Sequence, residues 1–303
     1  MIAQFRHLRR ELLGINRRNH AFLFGYNPRH RYRLADDKVA TKALLARHGI
    51  PSPVTHASCA AHWDVDRIGR LLGALPACVL KPARGAGGAG IVVLTARLGD
   101  GFVTATGRTW SWPQLATHIV DILGGVFASG GFADTLLVEA LVQCEPTLAR
   151  LAYRGVPDVR VLVFRGLPLL AMLRLPTRGS NGRANLHVGG IGVGIDLAHG
   201  ITTTAVCRGR RTTQHPDLAC DLGGIRVPAW EDVLQLAVRT TEAAGLGFAG
   251  VDIVIDAARG PLVLELNARP GLGIQAANGR GLLPLLAAAS GVVVPIDTAE
   301  RVR

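Results

Sequence analysis

Lysine is scarce in this chain: Lys38, Lys42 and Lys81 are the only three among 34 lysines and arginines. Aromatic residues make up 5% of 303, which leaves few flat rings on which nucleobases could stack. Cysteine is sparse as well, and the five present (Cys59, Cys78, Cys144, Cys207, Cys220) are odd in number and form no C-x-x-C pair. That argues against a disulfide framework and a paired-cysteine zinc site, so they read as small apolar residues of a reducing compartment. No signal-peptide core opens the chain in "MIAQFRHLRRELLG". The longest apolar run, residues 282–296, is broken by proline and glycine and is too short to span a bilayer. The expectation is a cytoplasmic protein with no membrane span, its oligomeric state left open.

What is abundant is arginine. The formal net charge is +12, which suits an acidic partner such as a nucleotide or an acidic small molecule or peptide. The shortage of aromatics counts against nucleic acid. Eight of the arginines, among them Arg9, Arg10, Arg17, Arg18, Arg29, Arg31 and Arg33, fall within residues 1–35, which read as a basic, solvated N-terminal segment.

Beyond that segment, "DDKVATKALLARHGIPSP" has an acidic N-cap, helical apolar spacing and a Gly/Pro stop, and so predicts a helix. Residues 54–138 alternate between helix and strand. "DVRVLVFRGLPLLAMLRLP" reads as a hairpin about Gly166, an irregular loop covers 176–194, and a helix covers 229–245. "AGVDIVID" and "PLVLELN" then form a pair of strands. The expected division is 1–35, 36–138 and 139–303.

"GAGGAG" at 85–90 satisfies G-x-G-x-x-G after a strand, but the β-branched run "IVVL" follows where a dinucleotide site needs a helix. Two readings remain for it, a flexible turn or a loop whose backbone N–H groups approach phosphate oxygens, and Lys81 just before it favours the second. In "LVLELNARPG", alternation puts Glu265 and Asn267 on one strand face, with Leu264 and Leu266 packing the other way. If "AARG" connects the two strands, Asp252 stands opposite Glu265, and two facing carboxylates require a proton or a cation between them. Asp, Glu and Asn oxygens suit Mg2+ completed by phosphates; each residue singly is also compatible with a solvated strand end.

Taken together, "DDK", "VLKPARGAGGAGI", "LLVEALVQCEP", "DVRVLVF", "GRANLHVGG" and "AGVDIVIDAARGPLVLELNARPGL" resemble the ATP-grasp superfamily. Within it the chain is most similar to the ribosomal-protein glutamate ligases and alpha-L-glutamate ligase-like proteins. The resemblance implies an α+β fold whose two subdomains clamp ATP, with a short basic segment where those ligases carry a full N-terminal domain. It implies that Lys38 and Lys81 hold ATP phosphates beneath a loop containing Gly85, Gly87 and Gly88. Glu139, Ala140 and Val142 would pair adenine, and Glu145 would meet the ribose. Asp252, Glu265 and Asn267 would hold Mg2+, for which Mn2+ can substitute, and Arg174, Arg183 and Asn185 would lie near the transferred phosphate. The implied activity is ATP-dependent carboxylate–amine ligation through an acyl phosphate, adding glutamate or another amino acid to a peptide or small molecule. A phosphotransferase or thioester-forming enzyme shares every ATP-side residue, and a binding module without activity is the third reading. His187 in the same loop reads as structural, and Arg269 stands where those ligases have a small residue, so it is expected to narrow the site or recognise an anion.

Overall fold

A computed structural model describes residues 10–128 and 130–291. Arg9 and the end of the 282–296 run lie outside the described residues. Helix α1 (Lys38–Arg47) starts where expected, because the Asp37 side chain accepts hydrogen bonds from the Val39 and Ala40 N–H groups. There follow β1 (Thr55–Cys59), α2 (Val65–Ala74), β2 (Cys78–Pro82), β3 (Val92–Leu98), β4 (Gly101–Thr104), β5 (Thr109–Trp110), α3 (Trp112–Leu123) and β6 (Leu136–Glu139). These strands form a six-stranded antiparallel sheet in the order β1-β6-β2-β3-β4-β5. Helix α3 covers it with Leu115, Ile119, Ile122 and Leu123, the spacing of one helical face, and all four are buried.

The second half begins with the hairpin β7 (Asp158–Phe164) and β8 (Leu167–Leu175), followed by β9 (Ile191–Asp196), β10 (Ile201–Cys207) and β11 (Arg210–Thr212). Helix α4 (Trp230–Ala244) and the pair β12 (Phe248–Asp256) and β13 (Gly260–Asn267) complete a seven-stranded antiparallel sheet, ordered β11-β10-β9-β8-β7-β12-β13. The loop expected to run to residue 194 ends at Gly190, because Ile191 and its successors pair with β8.

Parity along the central strands decides what each face does. Val159, Val161, Val163, Ala249, Val251, Ile253 and Ile255 point to one face, and pack with Val233, Leu236 and Ala237 of α4. On the other face the same strands are apolar at one end, where Leu162, Phe164 and Phe248 meet Leu13, Phe22 and Leu23. At the opposite end that face turns polar, with Asp158, Arg160, Arg174 and Asp252. The cleft lies there.

Two features differ from the sequence expectation. The described part of the N-terminal segment, residues 10–35, is not a solvated arm: Phe22 and Leu23 are 4% and 2% exposed. Asn27, also buried, donates to the Phe248 and Ala268 carbonyls and accepts from the Phe248 N–H. Its alternating arginines hid an apolar face. Helix α1, grouped by sequence with the six-stranded half, sends Leu44 and Leu45 into the core under the seven-stranded sheet. Apolar packing therefore joins the stretch from Leu13 to Ile50 to the second sheet. All five cysteines are free, Cys59 and Cys78 buried and the others half-buried.

Candidate active site

The two sheets face each other across a cleft of about 1300 Å³. One wall carries Lys81, Glu139 and the glycine loop; the other carries Asp158, Arg160, Arg174, Asp252, Glu265 and Asn267. The volume exceeds that of a typical small-molecule pocket and leaves room for a second ligand beside a nucleotide.

All three lysines of the chain reach carboxylates at or behind this cleft. Lys38 Nζ donates to the Gly85 carbonyl at 2.7 Å and lies 3.2 Å from Glu265 Oε1, so it links the glycine loop to β13. Lys81 Nζ is 2.7 Å from Glu139 Oε2. Lys42, which the sequence reading did not assign, approaches the other oxygen of Glu139 at 2.9 Å. That approach is off the hydrogen-bonding direction, and the Lys42 ammonium donates instead to the Pro53 carbonyl. Burial lowers the pKa of Lys42, with Glu139 opposing the shift. The Glu139 carboxylate thus lies between two lysines, and the segment is left to present backbone: Ala140, Leu141 and Val142 line the cleft, with the Ala140 N–H bound to the Val54 carbonyl.

On the facing wall the register places Asp252 opposite Glu265, as expected, but by another route. The connection is one residue shorter, with Asp256 opposite Gly260, and a bulge between Asp252 and Ile253 restores the pairing. Leu264 is the extra residue. It lines the cleft instead of packing with Leu266, which alone of the two enters the core.

Guanidinium groups supply the cation that two facing carboxylates require. Arg160, Asp252's neighbour across β7, grips it with Nε and Nη2, both at 2.6 Å. Arg174 Nη2 adds a third bond at 2.8 Å, while its Nε meets Asp158 at 2.5 Å and its Nη1 meets Asn185 Oδ1 at 2.8 Å. Burial pushes the Asp252 carboxyl up, but Arg160 and Arg174 outweigh it and hold the group down at about 2. Asp158 goes the other way: its burial exceeds the help from Arg174, Asp252 repels it, and its pKa rises to about 6. Arg174, also buried, has its pKa raised by the two carboxylates despite desolvation.

Asn267 donates its Nδ2 to Asp252 Oδ2 at 3.2 Å, which leaves Oδ1 unengaged among the described residues. Glu265 and Asn267 both line the cleft. Their oxygens, with the ionised Asp252 behind them, fit a hard divalent cation that keeps waters and phosphates in its sphere. No group of three or more His, Cys, Asp or Glu side chains is arranged for a metal among the described residues.

The 176–190 loop closes the site from the side. Arg183 and His187 line the cleft, and Arg183 anchors its Nε on the Ser180 carbonyl. A Cβ added at Gly88 would come within 3.0 Å of Arg183 Cδ, so the glycine loop lies directly against it. Gly85, Gly87 and Gly88 are all in the lining.

Two expected residues have other work. Glu145 is not among the lining residues; its carboxylate accepts from the Leu148 N–H and the Thr147 hydroxyl as the cap of the short helix Pro146–Ala149. Proline at the next position marks that cap in the sequence. Arg269 points out of the cleft, paired with Asp36 at 2.6 Å and stacked on Tyr32. It ties β13 to the N-terminal segment, so it neither narrows the site nor recognises a ligand in it. Asp158 and Arg160, which the sequence reading took only as part of a strand, carry a signal in retrospect: charged residues at alternate positions of a run otherwise apolar.

The model of the sugar-transfer associated ATP-grasp family matches residues 17–290. Among curated relatives, a probable alpha-L-glutamate ligase of Sodalis glossinidius is 30% identical over 253 residues, covering 83% of this chain and 63% of the relative. The ribosomal protein bS6--L-glutamate ligase of Salmonella paratyphi B is 28% identical over 246 residues, covering 81% and 60%. The chain therefore spans less than two thirds of the length of these relatives. Among solved structures, the ATP-grasp ligase PsnB with a phosphomimetic variant of its minimal precursor, Mg and ADP is similar at TM-score 0.49 and 19% identity, covering 88% of this chain and 61% of that one. The D-cycloserine synthetase DcsG is similar at TM-score 0.49 and 16% identity, covering 87% and 73%.

Proposed function

The chain belongs to the sugar-transfer associated ATP-grasp family, and from that premise we propose that it is an ATP-dependent ligase joining a carboxylate to an amine. One observation carries the reading: Lys81 and the glycine loop on one side of a single cleft face Asp252, Glu265 and Asn267 on the other, with Lys38 bridging the loop and Glu265. The adenine edge meets the backbone of 139–142, and the triphosphate runs beneath the loop toward Arg174 and Arg183. Glu145 is left out of this scheme. Glu265 and Asn267 would hold Mg2+, or Mn2+, backed by Asp252, and the ion would neutralise phosphate oxygens and keep them in line for transfer.

The substrate carboxylate oxygen attacks the γ-phosphorus of ATP, the bond from that phosphorus to the β–γ bridging oxygen breaks, and ADP leaves. The resulting acyl phosphate is attacked at its carbonyl carbon by the amine; phosphate departs and the nitrogen gives up a proton. Lys81 and Lys38 lie where they can leave Glu139 and Glu265 for phosphate oxygens, with Lys42 remaining to neutralise Glu139. Arg174, held rigid by Asp158 and Asn185, and Arg183 face the charge that spreads over the moving phosphoryl group. No side-chain nucleophile is required. The relatives named as glutamate ligases favour an amino acid as one reactant.

Turnover of Mg·ATP in the presence of pooled amino acids and acidic peptides, with mass spectrometry of the products, tests this reading. Expected are ADP, phosphate and an adduct of the mass of an amide; ADP without an amide product, with a phosphorylated or thioester adduct in its place, would move the assignment to phosphotransfer or thioester formation. Glu265→Ala should abolish Mg-dependent turnover with an unchanged circular dichroism spectrum, and full activity in that variant would overturn the metal assignment.

A further inference from the structure

Six arginines and two lysines line the cleft against four carboxylates, and the ligase scheme leaves part of that excess unused. Arg154 and Arg178 are two of the six. Both guanidinium groups lie over the same ring: the Cζ of Arg154 is 5.7 Å and that of Arg178 5.2 Å from the centroid of Tyr153. Neither pairs with a carboxylate among the described residues, whereas Arg67, Arg84, Arg160, Arg174 and Arg269 each do. Asp217 Oδ2 accepts from the backbone N–H of Arg178 at 2.7 Å, and no ion pair joins its carboxylate to either guanidinium. Two like charges beside one ring repel, and an anion between them would relieve that repulsion.

The arrangement is held in place. Arg154 adopts a left-handed backbone, φ 51°, uncommon for a side chain of its size. A Cβ at Gly155 would stand 2.1 Å from the Gly182 carbonyl oxygen, so the two loops that carry the arginines touch backbone to backbone. The Tyr153 N–H also donates to the Pro176 carbonyl. The loop bearing Arg178 goes on to Arg183 and Asn185, which places the pair of arginines in the same cleft as the phosphoryl-transfer residues.

We propose that Tyr153, Arg154 and Arg178 form a clamp for a second carboxylate of the acid substrate, distinct from the one that is activated, so that this substrate is a dicarboxylate. The inference rests on the ligase reading above for the fate of the other carboxylate. Two planar guanidinium forks suit a planar carboxylate, and a bound one would orient the far end of the substrate while its reacting end meets Arg174.

Calorimetric binding of α,ω-dicarboxylates from succinate to sebacate, each against its monoamide, tests the clamp on the full chain with Mg2+ and a non-hydrolysable ATP analogue. At one chain length the diacid should bind about ten-fold tighter than its monoamide, the loss expected for one charged hydrogen-bonded partner. Arg154→Gln and Arg178→Gln, both at exposed positions, should each remove that preference while Tm stays unchanged. Equal binding of diacid and monoamide at every length, a preference that survives both substitutions, or equal competition by inorganic sulfate would overturn the proposal. Binding needs no turnover, so the two readings separate: a chain that takes the diacid but never forms ADP keeps the clamp and loses the ligase. One that forms ADP and an adduct without any diacid preference does the reverse.

Discussion

Arg174 shows how much one buried residue decides here. At 4% exposure it joins Asp158, Asn185 and Asp252, and its removal leaves Asp158 buried with no cation bonded to it. Arg174→Met is therefore expected to cost roughly 3–5 kcal/mol of unfolding free energy, measured by urea denaturation. Asp158→Asn in the same chain should recover part of that loss. The same carboxyl gives a pH signature. Its pKa is raised in the folded chain to about 6 from an ordinary 3.8, so its contribution to stability is full below the unfolded value and is lost as pH rises through about 6. The Tm of the wild type relative to Asp158→Asn should accordingly be higher at pH 5 than at pH 7.5; a difference independent of pH would contradict the raised pKa. Asp252, depressed to about 2, acts in the opposite sense and at lower pH: its contribution is present above the unfolded value and fades as pH falls through about 2.

At the scale of elements, hairpin and loop geometry carry the site. Strand pairing from residue spacing brought Asp252 opposite Glu265, yet the bulge that achieves it sends Leu264 into the cleft, and no periodicity rule contains that step. The glycine loop depends on a comparable detail. Gly90 has φ 73°, and a Cβ there would lie 2.6 Å from the Phe127 ring. Gly90→Ala should cost about 1–2 kcal/mol for the left-handed backbone alone, and raise KM for ATP as the loop is displaced. Phe127→Ala added to it should relieve the steric part, so a double-mutant cycle on Tm and KM separates strain from collision. Helix boundaries were easier to read. Asp37, and Ser111 with Gln114, cap α1 and α3 by local hydrogen bonds that depend only on neighbours in the chain.

For the whole molecule, the unexpected element is the N-terminal segment. Charge density suggested a solvated arm, but Phe22 sits with its ring centroid 5.9 Å from both Phe164 and Phe248, and Tyr26 meets Phe164 edge to face. Phe22→Ala should therefore cost about 3–5 kcal/mol, as for a core aromatic. A residue in a loose arm would change the urea midpoint hardly at all. Arg18 belongs to the same buttress, its guanidinium donating to the Pro270 carbonyl just beyond the proposed metal ligands. The segment braces the sheet end from which β13 carries Glu265 and Asn267.

The sequence alone determined the alternation of elements, the α+β class, the family resemblance and the residues on which it rests, because these are properties of spacing, caps and short motifs. Only the tertiary structure decided how the charges are shared. Whether guanidinium groups grip Asp252, whether Lys42 backs Lys81, and whether Glu145 or Arg269 reaches the cleft depend on which side chains from distant strands meet. The low dielectric between two packed sheets makes each such meeting strong, and the pattern of residues along one strand holds no record of its neighbours across the sheet.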